Sequence, residues 1–263
     1  MDLGLRGKVA LVAASSKGLG RAVAAELAAE GASLVLCARG EGALETARRE
    51  IVDETGADAI AVAADVATNE GVEQVTRAAF DRFGHVDILV INAGGPPAGT
   101  FDKHDWNAWQ GAVDLTLRSA VELTRAVLPG MRERHWGRIV AVNSIAAKQP
   151  VDNLMLSNSI RAAVTGFLRT LANEVAADGI TVNTILPGYT RTERVTHLAE
   201  ANARKEGVDQ KEILGRFERE IPMRRLGEPS EFGALAAFLC SERASYITAQ
   251  SIAVDGGWIK GLL

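Results

Sequence analysis

Cysteine is nearly absent from this chain of 263 residues: Cys37 and Cys240 are the whole supply. Both sit in apolar stretches, Leu34 to Ala38 and Leu235 to Leu239, and read as small core residues rather than a disulfide framework or a metal site. Tyrosine is as scarce, with Tyr189 and Tyr246 the only phenols, and Glu193 and Gln250 stand four residues beyond them. Positive charge is in slight deficit: 29 Lys and Arg face 33 Asp and Glu, for a net charge of −4, and no dense basic run occurs. That balance argues against nucleic acid or an anionic membrane as the main partner. No apolar run reaches the about 18 residues of a membrane span. The start, Met1-Asp2-Leu3-Gly4, has no charged segment ahead of a long apolar one. A soluble, cytoplasmic protein is expected.

What the chain does have is a 47% hydrophobic content, enough for one substantial core. Short apolar, β-branched runs alternate with helical patterns from end to end. Strands are predicted at Lys8 to Ala14, Ser33 to Ala38, Ala59 to Ala63, Asp87 to Ile91, Arg138 to Val142, Ile180 to Ile185 and Gln250 to Val254. Between them helices are predicted at Leu19–Glu30, Gly42–Glu54, Glu70–Phe83, Asp105–His135 and Asn153–Ala177. Continuously apolar strands separated by helices indicate a parallel sheet covered on both faces. Right-handed crossovers then give an α/β fold: one doubly wound Rossmann domain, residues 1–263, around a seven-stranded parallel sheet.

Residues 190–222 stand outside this alternation. They are rich in Arg, Glu and Lys, with helical patterns at Val195–Lys205 and Lys211–Arg219. The segment follows a strand's carboxyl end, where such sheets bind ligands, so it is expected to be a helical lid over a substrate. A plain surface insertion is the competing reading.

After the first strand comes Ala13-Ala14-Ser15-Ser16-Lys17-Gly18-Leu19-Gly20, and then a helix. Small residues let backbone approach a pyrophosphate, and a helix start aims N–H groups and a positive dipole end at it. A Gly-rich loop in this strand–loop–helix setting is a strong dinucleotide signal. Alanine at position 14 is strained if its φ is positive. An acidic residue for an adenosine ribose normally stands about 20 residues further on. Here the second strand ends Cys37-Ala38-Arg39. Arg39 and Lys17 are instead two cations near where a 2′-phosphate would lie, and NADP(H) is expected over NAD(H).

Asp65-Val66, Asn92-Ala93-Gly94, Pro187-Gly188 with Thr192, and Val254-Asp255-Gly256-Gly257 follow in order on successive strand ends. With the loop at Ala14–Gly20 they make the chain resemble the short-chain dehydrogenase/reductase family, and within it the 3-oxoacyl-acyl-carrier-protein reductase branch. The resemblance implies adenine binding at Asp65 and Val66, cofactor contacts at Asn92, Ala93 and Gly94, and nicotinamide contacts at Pro187, Gly188 and Thr192. It also implies a homotetramer.

The family's catalytic motif is a serine, a tyrosine thirteen residues later, and a lysine four further on. Ser144 keeps the serine. The other two positions read Ser157 and Arg161, in the register secured by Arg161-Ala162-Ala163-Val164, and no Tyr-x-x-x-Lys exists in the chain. Ser144 is expected to hydrogen-bond a substrate oxygen or cap its own loop. Ser157 is a far weaker acid than a phenol, and Arg161 keeps the charge but sheds a proton poorly. Arg161 is expected to hold the nicotinamide ribose. The family's asparagine position is placed on Asp114, expected to pair with Arg161. The proton donor is left open between Lys148, whose competing and favoured reading is an ordinary surface lysine, and a bound water, with His104, His135 and His197 behind them. Two functions follow: an NADP(H)-dependent oxidoreductase interconverting a small carbonyl and an alcohol, with a 3-oxoacyl thioester as the candidate substrate the resemblance offers, or a catalytically weak or inactive NADP(H)-binding sensor or interaction protein.

Overall fold

The computed structural model describes residues 2–262. Seven parallel strands, β1 (Val9–Ala13), β2 (Ser33–Ala38), β3 (Ala59–Ala63), β4 (Ile88–Ile91), β5 (Gly137–Val142), β6 (Ile180–Pro187) and β7 (Ser251–Val254), form one sheet in the order β3-β2-β1-β4-β5-β6-β7. Every strand pair is parallel. The expected doubly wound α/β fold is thus present. The chain reverses its direction of travel between β3 and β4, and β1 and β4 part company with their helices there, leaving a crevice beyond their carboxyl ends.

The two faces of β1 show why its sequence is apolar throughout. Val9, Leu11 and Ala13 face a core completed by α3 (Asn69–Phe83), α5 (Ser119–Glu133) and α6 (Met155–Val175). Ala10 and Val12 face a second core under α1 (Gly18–Ala29), α2 (Glu41–Thr55) and α9 (Pro229–Cys240). Strands covered on both faces bury each residue, so alternation disappears. Cys37 and Cys240 are buried free thiols in these cores, as expected.

Three departures from the sequence reading matter for the site. The predicted helix 105–135 is two helices, α4 (Trp106–Ala112) and α5, joined by a π-helical turn at Val113–Arg118. The predicted start of α6 at Asn153 lies two residues early, because Asn153 takes φ +61°. Helix α9 is an addition to the reading. Pro229 opens it and Glu231 closes a capping box with Glu228. It packs so closely on α1 that a Cβ on Gly233 would lie 2.8 Å from Glu26 Cγ and 2.9 Å from the Ala22 carbonyl.

Helices α7 (Glu193–Glu206) and α8 (Gln210–Glu220) follow β6. They carry a small core of their own, with Val195, Ala199, Ala203, Ile213, Phe217 and Ile221 buried together. Tyr189 stacks on Phe217 at 4.3 Å between ring centroids and meets Trp258 edge-on at 6.0 Å. Residues 190–222 are therefore a packed helical pair hung from the end of β6.

Candidate active site

A cavity of about 660 Å³ opens across the carboxyl ends of β1, β2, β4, β5 and β6 and runs under α7. Its floor begins at the loop after β1. Ala14 there has φ +48°, the left-handed conformation that strains a side-chain-bearing residue. Ser15 is buried and locks the loop to β2, its Oγ accepting the Cys37 N–H at 3.0 Å. The Asn92 amide at the end of β4 donates to the Ala14 carbonyl at 3.2 Å. Gly20 does not line the cavity; it brings α1 against this loop. A Cβ on it would stand 2.3 Å from the Ala14 carbonyl oxygen and 2.6 Å from Asn92 Nδ2. Ser16, Lys17, Gly18 and Leu19 line the cavity beside the first turn of α1. No side chain caps that turn and no acidic residue stands in it, so its first N–H groups have no side-chain acceptor of their own.

One end of the cavity is built from β2 and β3. Arg39, Asp65 and Val66 line it. Asp65 Oδ1 is occupied by the Ala67 N–H at 3.0 Å, and Gly71 lets α3 reach the Asp65 carbonyl, which a Cβ would meet at 2.0 Å. Arg39 is exposed and forms no ion pair among the described residues. Lys17, in contrast, is ion-paired to Glu193 at the start of α7, and both side chains are exposed. The lysine expected at a phosphate thus also ties the phosphate loop to α7.

The other end holds Ser144, Ser157 and Arg161, which the fold brings together with Asn92, Ala93, Gly94, Pro187, Gly188 and Thr192 on one cavity wall. Ser144 lies two residues beyond β5 in extended backbone, and its Oγ accepts the Ala146 N–H at 3.1 Å. It therefore caps its own loop and still has its O–H to donate. Ser157, one turn before Arg161 on α6, is buried, and its hydroxyl has no hydrogen-bond partner among the described residues. Arg161 is 8% exposed. Its Nη1 donates to the Asn143 carbonyl at 2.8 Å and to Asn143 Oδ1 at 3.3 Å. Burial, and secondarily the charge of Arg194, push the Arg161 guanidinium down to about 10, still charged at neutral pH.

The expected pairing of Asp114 with Arg161 does not form. Asp114 sits in the π-helical turn, which rotates it away from the cavity. It accepts from Gln110 at 3.2 Å and pairs with Arg118 at 3.6 Å, both on its own helix. Leu115 lines the cavity in its place, and Thr116 buries an unpartnered hydroxyl in the same turn. Turns of this kind recur at functional sites. Lys148 is exposed and lies outside the cavity lining, as do His104, His135 and His197. Leu154 also lines the cavity, and the lining contains two residues the sequence reading passed over, Asn143 and Arg194, the latter on the first turn of α7.

A crevice at the switch point of a doubly wound sheet, with a bare helix start and two cations at its adenosine end, defines a dinucleotide-binding protein. A family model described as enoyl-(acyl carrier protein) reductase matches residues 13–259. The 3-oxoacyl-[acyl-carrier-protein] reductase FabG of Vibrio cholerae is 34% identical over 255 residues, spanning 97% of this chain and 98% of that protein. Oxidoreductase UcpA of Salmonella typhimurium is 36% identical over 258 residues, spanning 96% and 95%. The crystal structure of L-sorbose reductase from Gluconobacter frateurii, complexed with NADPH and L-sorbose, superposes with a TM-score of 0.95 at 40% identity over 100% of both chains. The chain belongs to the short-chain dehydrogenase/reductase family. No helix among the described residues is long and apolar enough to cross a membrane.

Proposed function

We propose that this protein is an NADP(H)-dependent oxidoreductase that interconverts a carbonyl and an alcohol without the family's tyrosine. The observation that carries this reading is Ser144, whose free O–H shares the cavity end with the charged, buried Arg161. Ala14, Ser16, Lys17, Gly18 and Leu19 would hold the pyrophosphate, Arg39 with Lys17 the 2′-phosphate, and Asp65 and Val66 the adenine. Asn92, Ala93, Gly94, Pro187, Gly188 and Thr192 would hold the nicotinamide half. Bound NADPH supplies a hydride.

The protein's own groups then act on the oxygen that gains charge. Ser144 donates a hydrogen bond to it, and the buried Arg161 adds a positive field. Ser157 offers a second hydroxyl. Neither is a strong acid, so water restores the proton through these hydroxyls. A positioned general acid contributes roughly 10²–10⁴-fold, and its weakening slows the step without removing the gain from holding donor and acceptor together.

Residues 190–222 are proposed as a lid, in a single domain of residues 1–263, with Lys17–Glu193 as the contact that closes it. The homotetramer expected from the family and the cytoplasmic location expected from the sequence belong to the same proposal; a monomer by light scattering at micromolar concentration contradicts the first. The sensor alternative uses the same cofactor residues and differs only in turnover. Ser144→Ala separates the two: it should cut carbonyl turnover by about 10²-fold while NADPH affinity stays within about twofold. Full activity in Ser144→Ala would remove Ser144 from the chemistry.

A further inference from the structure

The cavity is cationic in a protein that is acidic overall. Four of its lining side chains are cations, Lys17, Arg39, Arg161 and Arg194, and two are carboxylates, Asp65 and Glu193. Lys17 and Arg39 lie at the phosphate and adenosine end, and both carboxylates are committed there, Glu193 to Lys17 and Asp65 to the Ala67 N–H. Arg161 and Arg194 are left at the reacting end with no counter-charge.

A buried guanidinium without a carboxylate is costly, because desolvation is not repaid by an opposite charge. Arg161 is more than nine-tenths buried, yet its only partners are the carbonyl and side-chain oxygens of Asn143, both reached by Nη1. Its Nε and Nη2 have no hydrogen-bond partner among the described residues, and the side chain lines the cavity. Arg194 is placed against electrostatic preference as well, since the first turn of a helix disfavours a cation. It reaches across the cavity to the exit of β4, where Nη2 donates to the Pro96 carbonyl at 3.4 Å. A Cβ on Gly95 would lie 2.7 Å from the same nitrogen, so Gly95 gives the guanidinium its seat. Arg194 also forms no ion pair among the described residues.

Resting on the reductase reading above, we propose that Arg161 and Arg194 form a carboxylate-recognition site and that the substrate is an oxo acid. The carboxylate lies between the two guanidiniums, whose planar forks match its two oxygens. The oxo group is then turned toward Ser144 and Ser157. Because Arg194 rides on α7, an anionic substrate also draws the helical pair onto the cavity, while a neutral ketone leaves both charges bare.

The test uses the full-length protein saturated with NADPH. Acetoacetate, 4-oxopentanoate and their methyl esters serve as substrates, and oxamate as an unreactive probe titrated by calorimetry. Free acids should bind and turn over at least about tenfold better than their esters, and oxamate should compete with them. Arg194→Gln, at an exposed position that leaves folding intact, should erase the acid-over-ester preference while the NADPH Kd stays within about threefold. Arg161→Lys, which keeps the charge but loses the fork, should reduce the preference.

Equal use of acids and esters overturns the proposal. So does an Arg194→Gln protein that loses NADPH affinity about tenfold and keeps its acid-to-ester ratio, since the arginine would then serve the cofactor. Oxamate binding that depends on Arg194 with no NADPH oxidation sustains the carboxylate site and sinks the reductase reading. Oxidation by neutral ketones with no acid preference does the reverse.

Discussion

Asn143 and Arg161 hold each other from both ends. Arg161 Nη1 donates to the Asn143 carbonyl at 2.8 Å, and Asn143 Nδ2 donates back to the Arg161 carbonyl at 3.0 Å and to Thr165 Oγ1 at 2.9 Å. The pair ties the end of β5, where Ser144 follows, to the middle of α6, which carries Ser157. Asn143→Ala keeps the carbonyl that Arg161 Nη1 reaches but strips the Nδ2 bonds to the Arg161 carbonyl and Thr165 and the Oδ1 contact to Arg161, and is expected to cost about 1–3 kcal/mol. Urea unfolding at constant m-value measures it; a cost near zero would mean that α6 is placed by packing alone.

Ala14 keeps a side chain where the loop turns left-handed. Left-handed backbone costs such a residue about 1–2 kcal/mol, and the greater freedom of unfolded glycine takes back about 0.4–1. Ala14→Gly should therefore stabilise the fold by up to about 1.6 kcal/mol and raise Tm by up to roughly 5 °C. Differential scanning calorimetry decides it, and a lower Tm would contradict the strain assigned to this position.

Arg39 and Lys17 differ in availability. Arg39 has no ion-pair partner among the described residues, whereas Lys17 is held by Glu193. Arg39→Asp should weaken NADPH by about 10–100-fold and NADH far less. Glu193→Gln releases Lys17 and should tighten NADPH about two- to fivefold, the scale of an exposed pair. Fluorescence titration of both nucleotides reads both effects. Equal losses for NADPH and NADH in Arg39→Asp would place the 2′-phosphate elsewhere.

Glu231 links acid stability to helix α9. Its carboxylate accepts from Arg225 at 2.6 and 2.8 Å and from the Glu228 N–H at 2.8 Å, and the Arg225 bond above all holds it down at about 2, from 4.5. A depressed carboxyl stabilises the fold above its unfolded value and loses that contribution as pH falls toward the folded one. The Tm difference between the wild type and Glu231→Gln should thus be constant above pH 4.5 and shrink as pH falls to about 2. A difference that does not change across that window would detach Glu231 from the cap.

Much of this molecule was legible as pattern. Strands buried on both faces wrote themselves as apolar runs, and the phosphate loop showed in the spacing of Gly18 and Gly20. Ser144, Ser157 and Arg161 fell together because one loop and one helical turn fix their spacing. What escaped depended on geometry between elements. The π-helical turn at Val113–Arg118 shifts the helix register by one residue, so Asp114 turns to Arg118 and no reading of a regular helix would show it. Helix α9 packs beside α1 against β5 and β6, and its mostly apolar sequence blurred its periodicity; Pro229 and Glu231 were the available signal. Arg194 looked like one more charge in a charged segment, and only the path of α7 over the cavity gives it a site.

The central claim is hydride transfer without a phenol, and isotope transfer tests it most directly. NADPH carrying deuterium at the transferable position would be incubated with the protein and a panel of oxo acids, β-ketoacyl thioesters, ketones, quinones and sugars. The account predicts deuterium at the former carbonyl carbon of an alcohol product, with transfer strongly reduced in Ser144→Ala. NADPH bound in stoichiometric amount, with no deuterium in any product, would contradict it and leave a nucleotide-binding protein whose lost tyrosine also ended its chemistry.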